Sequence, residues 1–175
     1  ENVFNRRMAF VDEDFLNMFT FPIIHGDKDA YKELSSVLVS AQTAISLFGK
    51  EDAVGETLEI VKTDGANILV TVGGVFEDVK QNNTLQFQLI SDFENVHRFF
   101  GVEKGDWGHF LDGVFIQTED PNVIETAPAL IQKYAAIQSE ARKDFQVGGF
   151  WLQNMKDLPF NQRDLNGRSL GNEAL

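Results

Sequence analysis

Apolar and polar positions change their period along the first half of the chain, and each change predicts a new element. Residues 8–11 predict a short strand, and 15–19 predict one helical turn behind an acidic cluster. The run 36–40 (S-V-L-V-S) is short, apolar and rich in valine, which favours a strand. Apolar residues at helical spacing follow in 41–48, and Gly49 stands where a left-handed helix end belongs.

Alternation then predicts a β-hairpin. Polar and apolar residues alternate in 56–62, residues 68–76 are expected to form the return strand, and Asp64-Gly65 between them is a turn signal. Gly73-Gly74 inside the return strand predicts a bulge or a bend. The alternating segment 85–89 predicts one more half-buried strand.

The second half predicts a strand, a long helix and another strand. Residues 92–100 predict a helix, and 113–118 predict a strand. The longest helical pattern covers 122–142, with Pro128 as the place where the helix starts or kinks. Residues 147–155 predict the returning strand.

These elements predict an α+β fold with two lobes. Residues 1–100 are expected to form a mostly β-rich lobe with short helices, and 101–156 a strand–helix–strand lobe. Residues 157–175 are polar and are expected to form an exposed arm.

The composition supports a real core and argues against some partners. The 175 residues include 16 phenylalanines, and 43% of the chain is hydrophobic. A net charge of -12 argues against binding nucleic acid or lying flat on an anionic membrane. The absence of cysteine excludes disulfides and thiolate chemistry, and no apolar run approaches the roughly 20 residues that span a bilayer.

Candidate metal ligands have simpler interpretations. His25, His97 and His109 show no metal-binding spacing, so loop or surface positions are favoured. The acids 12–14 lack the alternation and glycine of a calcium loop, whereas carboxylates at a helix N-terminus offset the helix dipole. We therefore predict no metal site and no cofactor.

Candidate catalytic groups are also explained more simply. The acid pairs Glu77-Asp78 and Asp92/Glu94 could serve glycoside chemistry, but solvated surface positions are favoured. No G-x-S-x-G elbow contains any of the serines at 35, 36, 40 and 46, and Gly73-Gly74 lacks a phosphate-loop pattern. We predict no catalytic residue and no enzymatic activity.

Two tryptophans are candidates for contact with a ligand or partner. Trp107 lies in a glycine-flanked loop (G-D-W-G-H-F), and Trp151 lies in the last predicted strand. A recognition surface is one interpretation of Trp107. A side chain that fills the seam between the two lobes is the other, and we favour it.

Three segments in order carry a family resemblance. They are V-D-E-D-F-L-N-M-F-T-F-P-I-I-H-G-D (11–27), S-S-V-L-V-S-A-Q-T-A-I-S-L-F-G-K-E-D-A-V-G-E-T-L (35–58) and V-T-V-G-G-V-F-E-D-V-K-Q-N-N-T-L-Q-F-Q-L-I-S (70–91). Together they resemble the periplasmic core domain of MacB-type (FtsX-like) ABC transporter permeases, of the kind found in Bacteroidetes. The sequence departs from the family pattern at Lys80, where a proline is usual.

The resemblance implies a location, partners and a function. It implies the periplasmic domain of a bacterial inner-membrane permease, with a porter-like βαβ lobe, here incomplete if its first elements precede Glu1, and a second, β-rich lobe. It implies that the domain relays ATP-driven motion of the membrane helices to substrates or partner proteins. The implied partners are the permease's own transmembrane helices, an ATP-binding subunit acting through them, and a second permease copy or a periplasmic protein. The alternative is a secreted module that binds peptide, lipid or glycan.

Overall fold

A computed structural model describes residues 4–62, 65–80, 85–109, 111 and 113–157. Contacts between Cα atoms divide the chain into two compact units, Glu1–Val102 (unit 1) and Glu103–Leu175 (unit 2). No helix within the described ranges is long and apolar enough to span a bilayer. The described strands all belong to unit 1, whereas the described part of unit 2 is helical and irregular.

Unit 1 is built on a mixed sheet, which is six-stranded over the described residues. Its strands are β1 (Met8–Val11), β2 (Ile23–Gly26), β3 (Ser36–Ser40), β4 (Thr57–Val61), β5 (Asn67–Phe76) and β6 (Leu89–Asp92). The strand order is β1-β6-β3-β5-β2, and β4 pairs with the first half of β5. β1 is parallel to β6 and β3 is parallel to β5, while the other pairs are antiparallel. The predicted strands 8–11 and 36–40 and the predicted hairpin are confirmed.

Both faces of β3 are covered, which explains its continuous apolar sequence. All five of its residues are buried. Val37 and Val39 belong to one hydrophobic cluster, whereas Leu38 between them belongs to a second cluster on the opposite face. A strand buried on both sides needs no polar alternation. β3 is therefore the centre of unit 1.

The predicted irregularity at Gly73-Gly74 is confirmed as a bulge in β5. Val37 is in register with Val72, but the next residue, Leu38, is in register with Gly74, so Gly73 is the extra residue. Because the extra residue changes which face later side chains occupy, Val72 and Val75 join the same cluster. A side chain at Gly73 would not fit, since an added Cβ would lie 2.4 Å from the Ser36 Oγ.

Three short helices accompany the sheet in unit 1. They are α1 (Phe15–Met18), α2 (Ala41–Phe48) and α3 (Asn95–Phe100), and a 3-10 turn covers Ala30–Lys32. α2 ends at Gly49, which has the left-handed φ of 72° that the sequence predicts. α2 and α3 contribute Ala44, Phe48 and Phe99 to the first cluster. The second cluster takes Phe15 from α1 and Tyr31 from the 3-10 turn.

Aromatic rings fill much of the second cluster. Phe21 lies 5.1 Å from Phe87 and 5.8 Å from Phe15, measured between ring centroids. Phe87 in turn lies 6.0 Å from Phe76 of β5. Such ring pairs stabilise a core beyond the area that they bury. The phenylalanine-rich composition therefore corresponds to a packed aromatic layer.

The described part of unit 2 contains two consecutive helices, α4 (Val123–Ile131) and α5 (Lys133–Ala141), and a 3-10 turn at Met155–Asp157. The predicted single helix over 122–142 is therefore interrupted at Gln132. Pro128 lies inside α4 and has no N–H to donate to the preceding turn. The interruption follows one turn later, and the Gln132 N–H still donates to the Pro128 carbonyl at 3.0 Å.

The two strands predicted in this region are wrong. The described residues 113–118 and 147–155 form no strand. A strand forms only where its backbone can pair with another strand. In part of the segment 147–155, backbone N–H groups donate instead to side chains of the helical region. The Val147 N–H donates to the Ser139 Oγ at 2.9 Å, and the Phe150 N–H donates to the Gln132 Oε1 at 3.3 Å.

The strand and helix predicted between 85 and 100 are displaced. The segment 85–88 is not a strand, and β6 begins only at Leu89. The N–H groups of Gln88 and Leu89 both donate to the Arg7 carbonyl, so regular pairing with β1 starts there. Asp92 belongs to β6, and α3 starts at Asn95 rather than at 92.

The predicted α+β class is confirmed, with a mixed sheet and short helices. The assignment of 1–100 and 101–156 to a second-lobe-like and a porter-like region stays a prediction. The predicted arm, 157–175, lies outside the described residues apart from Asp157.

Candidate interaction surface

The most distinctive surface of unit 2 is an aromatic pair at the start of an open groove. The Trp107 indole and the Tyr134 ring are stacked, with centroids 5.3 Å apart and planes 15° from parallel. Trp107 remains 37% exposed. Tyr134 belongs to α5, so the stack attaches the Trp107 loop to that helix.

The loop that carries Trp107 is held by its own hydrogen bonds. The Asp106 Oδ1 accepts the Gly108 N–H at 2.8 Å, across the tryptophan. The Asp106 N–H donates to the Glu103 carbonyl at 3.0 Å, which closes a turn. An aspartate that accepts an N–H two residues later is a common turn device.

Arg142, just after α5, fixes the loop from the other side. Its guanidinium donates to both carboxylate oxygens of Asp144 at 2.8 and 2.7 Å, and to the Gly108 carbonyl at 3.1 Å. The guanidinium lowers the pKa of the Asp144 carboxyl to about 2, mainly through these hydrogen bonds. The same contacts raise the pKa of Arg142, so the pair remains ionised over the physiological range.

The groove beside this loop combines an apolar floor with acids at its edge. It has a volume of about 630 Å³ and is open to solvent. We call it the Trp107 groove, and its lining residues are Gly105, Asp106, Trp107, Ala136, Ile137, Glu140 and Ala141. Glu140 is highly exposed and lies 3.5 Å from the Lys143 ammonium. An ammonium group also lies over the aromatic pair, with the Lys133 Nζ 5.0 Å from the Tyr134 centroid.

Unit 2 buries few of its apolar side chains. Among its described hydrophobic residues, Ala135 is buried, whereas α4 contains no buried residue. Ten large hydrophobic side chains are exposed: Trp107, Leu111, Val114, Ile116, Ile124, Leu130, Ile137, Phe145, Trp151 and Met155. Contiguous apolar side chains, such as Trp107 and Ile137 in the Trp107 groove, are candidates for contact with another molecule.

The three histidines lie in separate places. The His25 Nε2 lies 3.1 Å from the Glu51 Oε1, and the His97 Nδ1 lies 3.2 Å from the Val102 carbonyl. His109 follows the Trp107 loop, where its N–H points to the Asp106 carbonyl at 3.4 Å. Within the described residues, no three histidine, aspartate or glutamate side chains gather in a way that could hold a metal ion.

The acidic residues flagged by the sequence occupy helix and turn positions. The Asp12 Oδ1 accepts the Asp14 N–H at 3.2 Å, and Asp14 is the N-cap residue of α1. The Asp92 Oδ1 accepts the Glu94 N–H at 2.7 Å before α3. Asp78 caps α2 instead of pairing with Glu77, since its carboxylate accepts the Gln42 N–H. These carboxylates are thus used in local structure.

Three of the four serines considered as nucleophiles are likewise structural. The Ser40 Oγ accepts the Thr43 N–H at 3.4 Å at the start of α2. Ser36 is buried against the bulge of β5. The Ser46 Oγ accepts a hydrogen bond from Arg6 at 3.0 Å.

Sequence reasoning selected Trp107 but missed the residues that hold it. Tyr134 and Arg142 both fall within the predicted helical pattern 122–142, which gives neither of them a role beside the Trp107 loop. A guanidinium two residues before an aspartate is a weak local signal for the Arg142–Asp144 pair. The contact of Arg142 with Gly108 depends on the fold and has no local signal.

Solved structures with a similar fold come from transporter proteins. The match to the periplasmic region of MacB from Actinobacillus actinomycetemcomitans has a TM-score of 0.53 at 13% identity, covering 89% of this chain and 64% of that one. A domain of a protein named as a permease from Porphyromonas gingivalis matches with a TM-score of 0.52 at 17% identity, covering 91% of this chain and 60% of that one. The chain thus spans less than two thirds of both structures.

A third similar structure is the extracellular domain of the ABC-type transporter YknZ from Gram-positive bacteria. It has a TM-score of 0.50 at 15% identity and covers 83% of this chain and 69% of that one. At these identities the three structures support the fold alone.

The family itself is shown by the sequence. No curated protein matches the chain at a significant level. The family model described as the MacB-like periplasmic core domain matches residues 1–134, which is well over half of the 175 residues. The chain therefore belongs to the family of MacB-like periplasmic core domains.

Proposed function

We propose that this chain is the periplasmic domain of a bacterial inner-membrane ABC permease, and that it relays ATP-driven motion of the membrane helices. Its partners are then the transmembrane helices of its own permease and, through them, an ATP-binding subunit. A second permease copy or a periplasmic protein receives the motion. The single observation that carries this proposal is the family match over residues 1–134.

The construction of unit 1 supports a mechanical role. A relay element must move as a body, because internal rearrangement would absorb the motion. β3 is buried on both faces; all five of its residues pair with the second half of β5, and two of them also pair with Leu89 and Ile90 of β6. Close packing of this kind transmits displacement with little internal change.

The last helix of unit 1 is also firmly attached to the sheet region. The Asn95 Nδ2 donates to the Leu34 carbonyl at 3.1 Å, and the Arg98 guanidinium donates to the same carbonyl at 2.9 Å. Phe99 of this helix is buried in the first cluster. α3 precedes the end of unit 1 at Val102, so it forms a rigid end to that unit.

We further propose that the domain performs no chemistry itself. The support is that several of the candidate side chains make structural contacts, such as Asp78 at α2 and His25 beside Glu51. Side chains with a structural role are expected to have hydrogen-bond partners of this kind within the protein. The energy for transport would come from ATP hydrolysis elsewhere in the permease.

Spin labels in the intact permease test the relay directly. The 175 residues contain no cysteine, so labels can be introduced into this domain without removing any of its own thiols, and any cysteines elsewhere in the permease are replaced first. Glu33→Cys in unit 1 and Glu125→Cys in unit 2 place one exposed label in each unit. The distance distribution between them is expected to change between the ATP-bound and nucleotide-free states.

The control pair is Glu33→Cys with Glu77→Cys, which places both exposed labels in unit 1. Its distance is expected to stay constant in every nucleotide state, because unit 1 moves as one body. A distribution between units that is the same with and without ATP would refute the relay. A changing control pair would refute the rigid-body part of the proposal.

The alternative function, a secreted ligand-binding module, has one observation in its favour. The Trp107 groove contains an exposed aromatic ring and apolar side chains, as ligand sites do. Small-molecule sites, however, bury most of the ligand surface, whereas this groove is open. A thermal-shift screen of the 175-residue chain that finds a tightly bound small ligand would favour the module over the relay.

A further inference from the structure

The Trp107 groove offers an aromatic face and negative charge at the same place. The indole of Trp107 lines the groove while Tyr134 supports it from the stack. Asp106 and Glu140 belong to the same lining; the Asp106 Oδ1 accepts the Gly108 N–H, and the Glu140 carboxylate lies 3.5 Å from the Lys143 ammonium in an exposed pair. An aromatic face attracts cations, and tryptophan does so most strongly. Carboxylates beside it add charge complementarity for a positively charged group.

The aromatic pair already interacts with one cation of the chain. The Lys133 Nζ lies 5.0 Å from the Tyr134 centroid, within the usual range of a cation–π contact. An ammonium group is thus compatible with the electrostatics of this stack. The remaining lining, Ala136, Ile137 and Ala141, is suited to the aliphatic stem of a long cationic side chain.

Contacts within the chain fix the residues of the Trp107 groove in the unbound state. Arg142 donates to the Gly108 carbonyl, and the Asp106 carboxylate accepts the Gly108 N–H. Stacking on Tyr134 fixes the plane of the Trp107 indole. A preorganised surface loses little conformational entropy on binding. The open shape favours a segment of a protein that lies along the groove over a small molecule that must be enclosed.

We propose that the Trp107 groove binds a lysine- or arginine-bearing, apolar-flanked segment of a partner protein. The cationic head contacts the indole face and the carboxylates of Asp106 and Glu140, while apolar neighbours cover Ile137. This inference deepens the proposed function and rests on it for the existence of a protein partner. Binding to the isolated chain and motion in the intact permease are measured separately, so either can fail alone.

Intrinsic fluorescence gives a local measurement of binding. The chain has two tryptophans, so Trp151→Phe leaves Trp107 as the only indole. The probe is a capped synthetic peptide in which lysines alternate with leucines. Its matched counterparts carry glutamates, or uncharged norleucines, in place of the lysines. The lysine peptide is expected to change the Trp107 emission saturably, and the effect is expected to weaken at high salt.

Two charge-neutralising variants locate the effect. Glu140→Gln removes one carboxylate from the groove. It is expected to lower the affinity for the lysine peptide about two- to fivefold, the range of an exposed ion pair. Glu125→Gln removes the same charge from α4 in the same unit, outside the groove lining, and is expected to leave the affinity unchanged.

Several results would overturn the proposal. They are equal binding of the lysine, glutamate and norleucine peptides, equal effects of Glu140→Gln and Glu125→Gln, and no saturable change with the lysine peptide. Butylammonium serves as the small-cation arm of the same titration. If butylammonium changes the Trp107 emission with an affinity equal to that of the peptide, the occupant is a small cation and the protein-segment assignment is wrong.

Discussion

The Asp78 carboxylate accepts the backbone N–H of Gln42 with both oxygens, at 3.1 and 3.2 Å, and so caps α2 from beyond the end of β5. The Ser40 Oγ accepts the Thr43 N–H of the same first turn at 3.4 Å. Helix N-termini leave several N–H groups without helical partners. α2 satisfies two of them with one local and one distant side chain, which attaches the segment after β5 to the helix.

Removing the distant cap should weaken unit 1. Asp78→Ala is expected to lower the free energy of unfolding by about 0.5–2 kcal/mol, because it removes an N-terminal acceptor and a charge that favours the helix dipole. Urea unfolding followed by circular dichroism measures the change. Glu77→Ala is the matched control, since Glu77 is exposed and adjacent, and its effect should lie within about 0.5 kcal/mol of zero. Equal losses in both variants would contradict the capping role.

The bulge of β5 should tolerate no side chain. Gly73→Ala would place a Cβ 2.4 Å from both the Ala30 Cβ and the Ser36 Oγ, so the backbone must shift. The expected loss is about 1–3 kcal/mol in the free energy of unfolding, as for other overpacked sites. Gly148→Ala adds the same methyl group where no described atom lies within 4 Å, and it should be close to neutral. A stable Gly73→Ala protein would show that the bulge is not required.

Alkaline pH should unfold unit 1 through Tyr31. Burial, followed by the nearby charges of Asp29 and Asp12, raises the pKa of the Tyr31 phenol from 10.0 to about 12. Between these values the native state keeps a phenol proton that the unfolded chain loses. The stability contributed by the buried, protonated Tyr31 is therefore complete below pH 10 and is lost as the pH rises from 10 to about 12. Tyrosinate absorbance in a Tyr134→Phe variant reports Tyr31 alone, because the chain has two tyrosines. A midpoint near 10 in a folded protein would be the contrary result.

The sequence predicts those parts of the fold that local signals determine. The apolar run of β3, the helical spacing of 41–48 and the stop at Gly49 are adjacent and mutually consistent, and all three are confirmed. The Gly73-Gly74 irregularity is equally local. The position of β6 between β1 and β3 is not, because it depends on pairing between segments far apart in the chain.

Strand preference alone was insufficient in unit 2. The segments 113–118 and 147–155 have the residues of strands, but strand formation depends on a partner, and the described residues of this unit offer none. The candidate site follows the same rule. The glycine-flanked loop made Trp107 a candidate, although the favoured prediction was a seam between the lobes, whereas the roles of Tyr134 and Arg142 depend on contacts that only the folded chain creates.

Arg142 should control the shielding of Trp107. Arg142→Lys keeps the charge but loses the fork that contacts Asp144 and Gly108 together, so the loop should loosen. In the Trp151→Phe background, acrylamide should quench Trp107 more strongly than in the parent. Lys156→Gln, an exposed cation of the same unit, is the control and should change nothing.

The pH dependence of this shielding follows from Asp144. Arg142 lowers the pKa of the Asp144 carboxyl from 3.8 to about 2. Because the pKa of Asp144 is lower in the native state, the stabilisation by the Asp144–Arg142 contact is complete above pH 3.8 and is lost as the pH falls through about 2. Trp107 should therefore remain shielded between these values. Loss of shielding already at 3.8 would show that Asp144 does not take part.

Asn95 offers a test of the polar contacts inside unit 1. The side chain is fully buried, and its Nδ2 donates to the Leu34 carbonyl at 3.1 Å and to the Ser91 Oγ at 2.9 Å. Its Oδ1 has no hydrogen-bond partner among the described residues. The amide thus contributes mainly as a donor, and it joins α3 to the loop before β3 and to β6.

Asn95→Asp exchanges this donor for a carboxylate beside a carbonyl oxygen. The Arg98 guanidinium donates to the same Leu34 carbonyl, but the new carboxylate would still be buried against that oxygen, so the free energy of unfolding at neutral pH should fall by about 3–5 kcal/mol. Burial raises the pKa of such a group in the native state, so the variant should recover stability as the pH falls, when the protonated acid can again donate to Leu34. Asn95→Ala loses the same hydrogen bonds without gaining a titratable group, and its loss should not depend on pH relative to the parent. Urea unfolding at several pH values measures both variants, and parallel pH profiles would show that Asn95 is not enclosed as described.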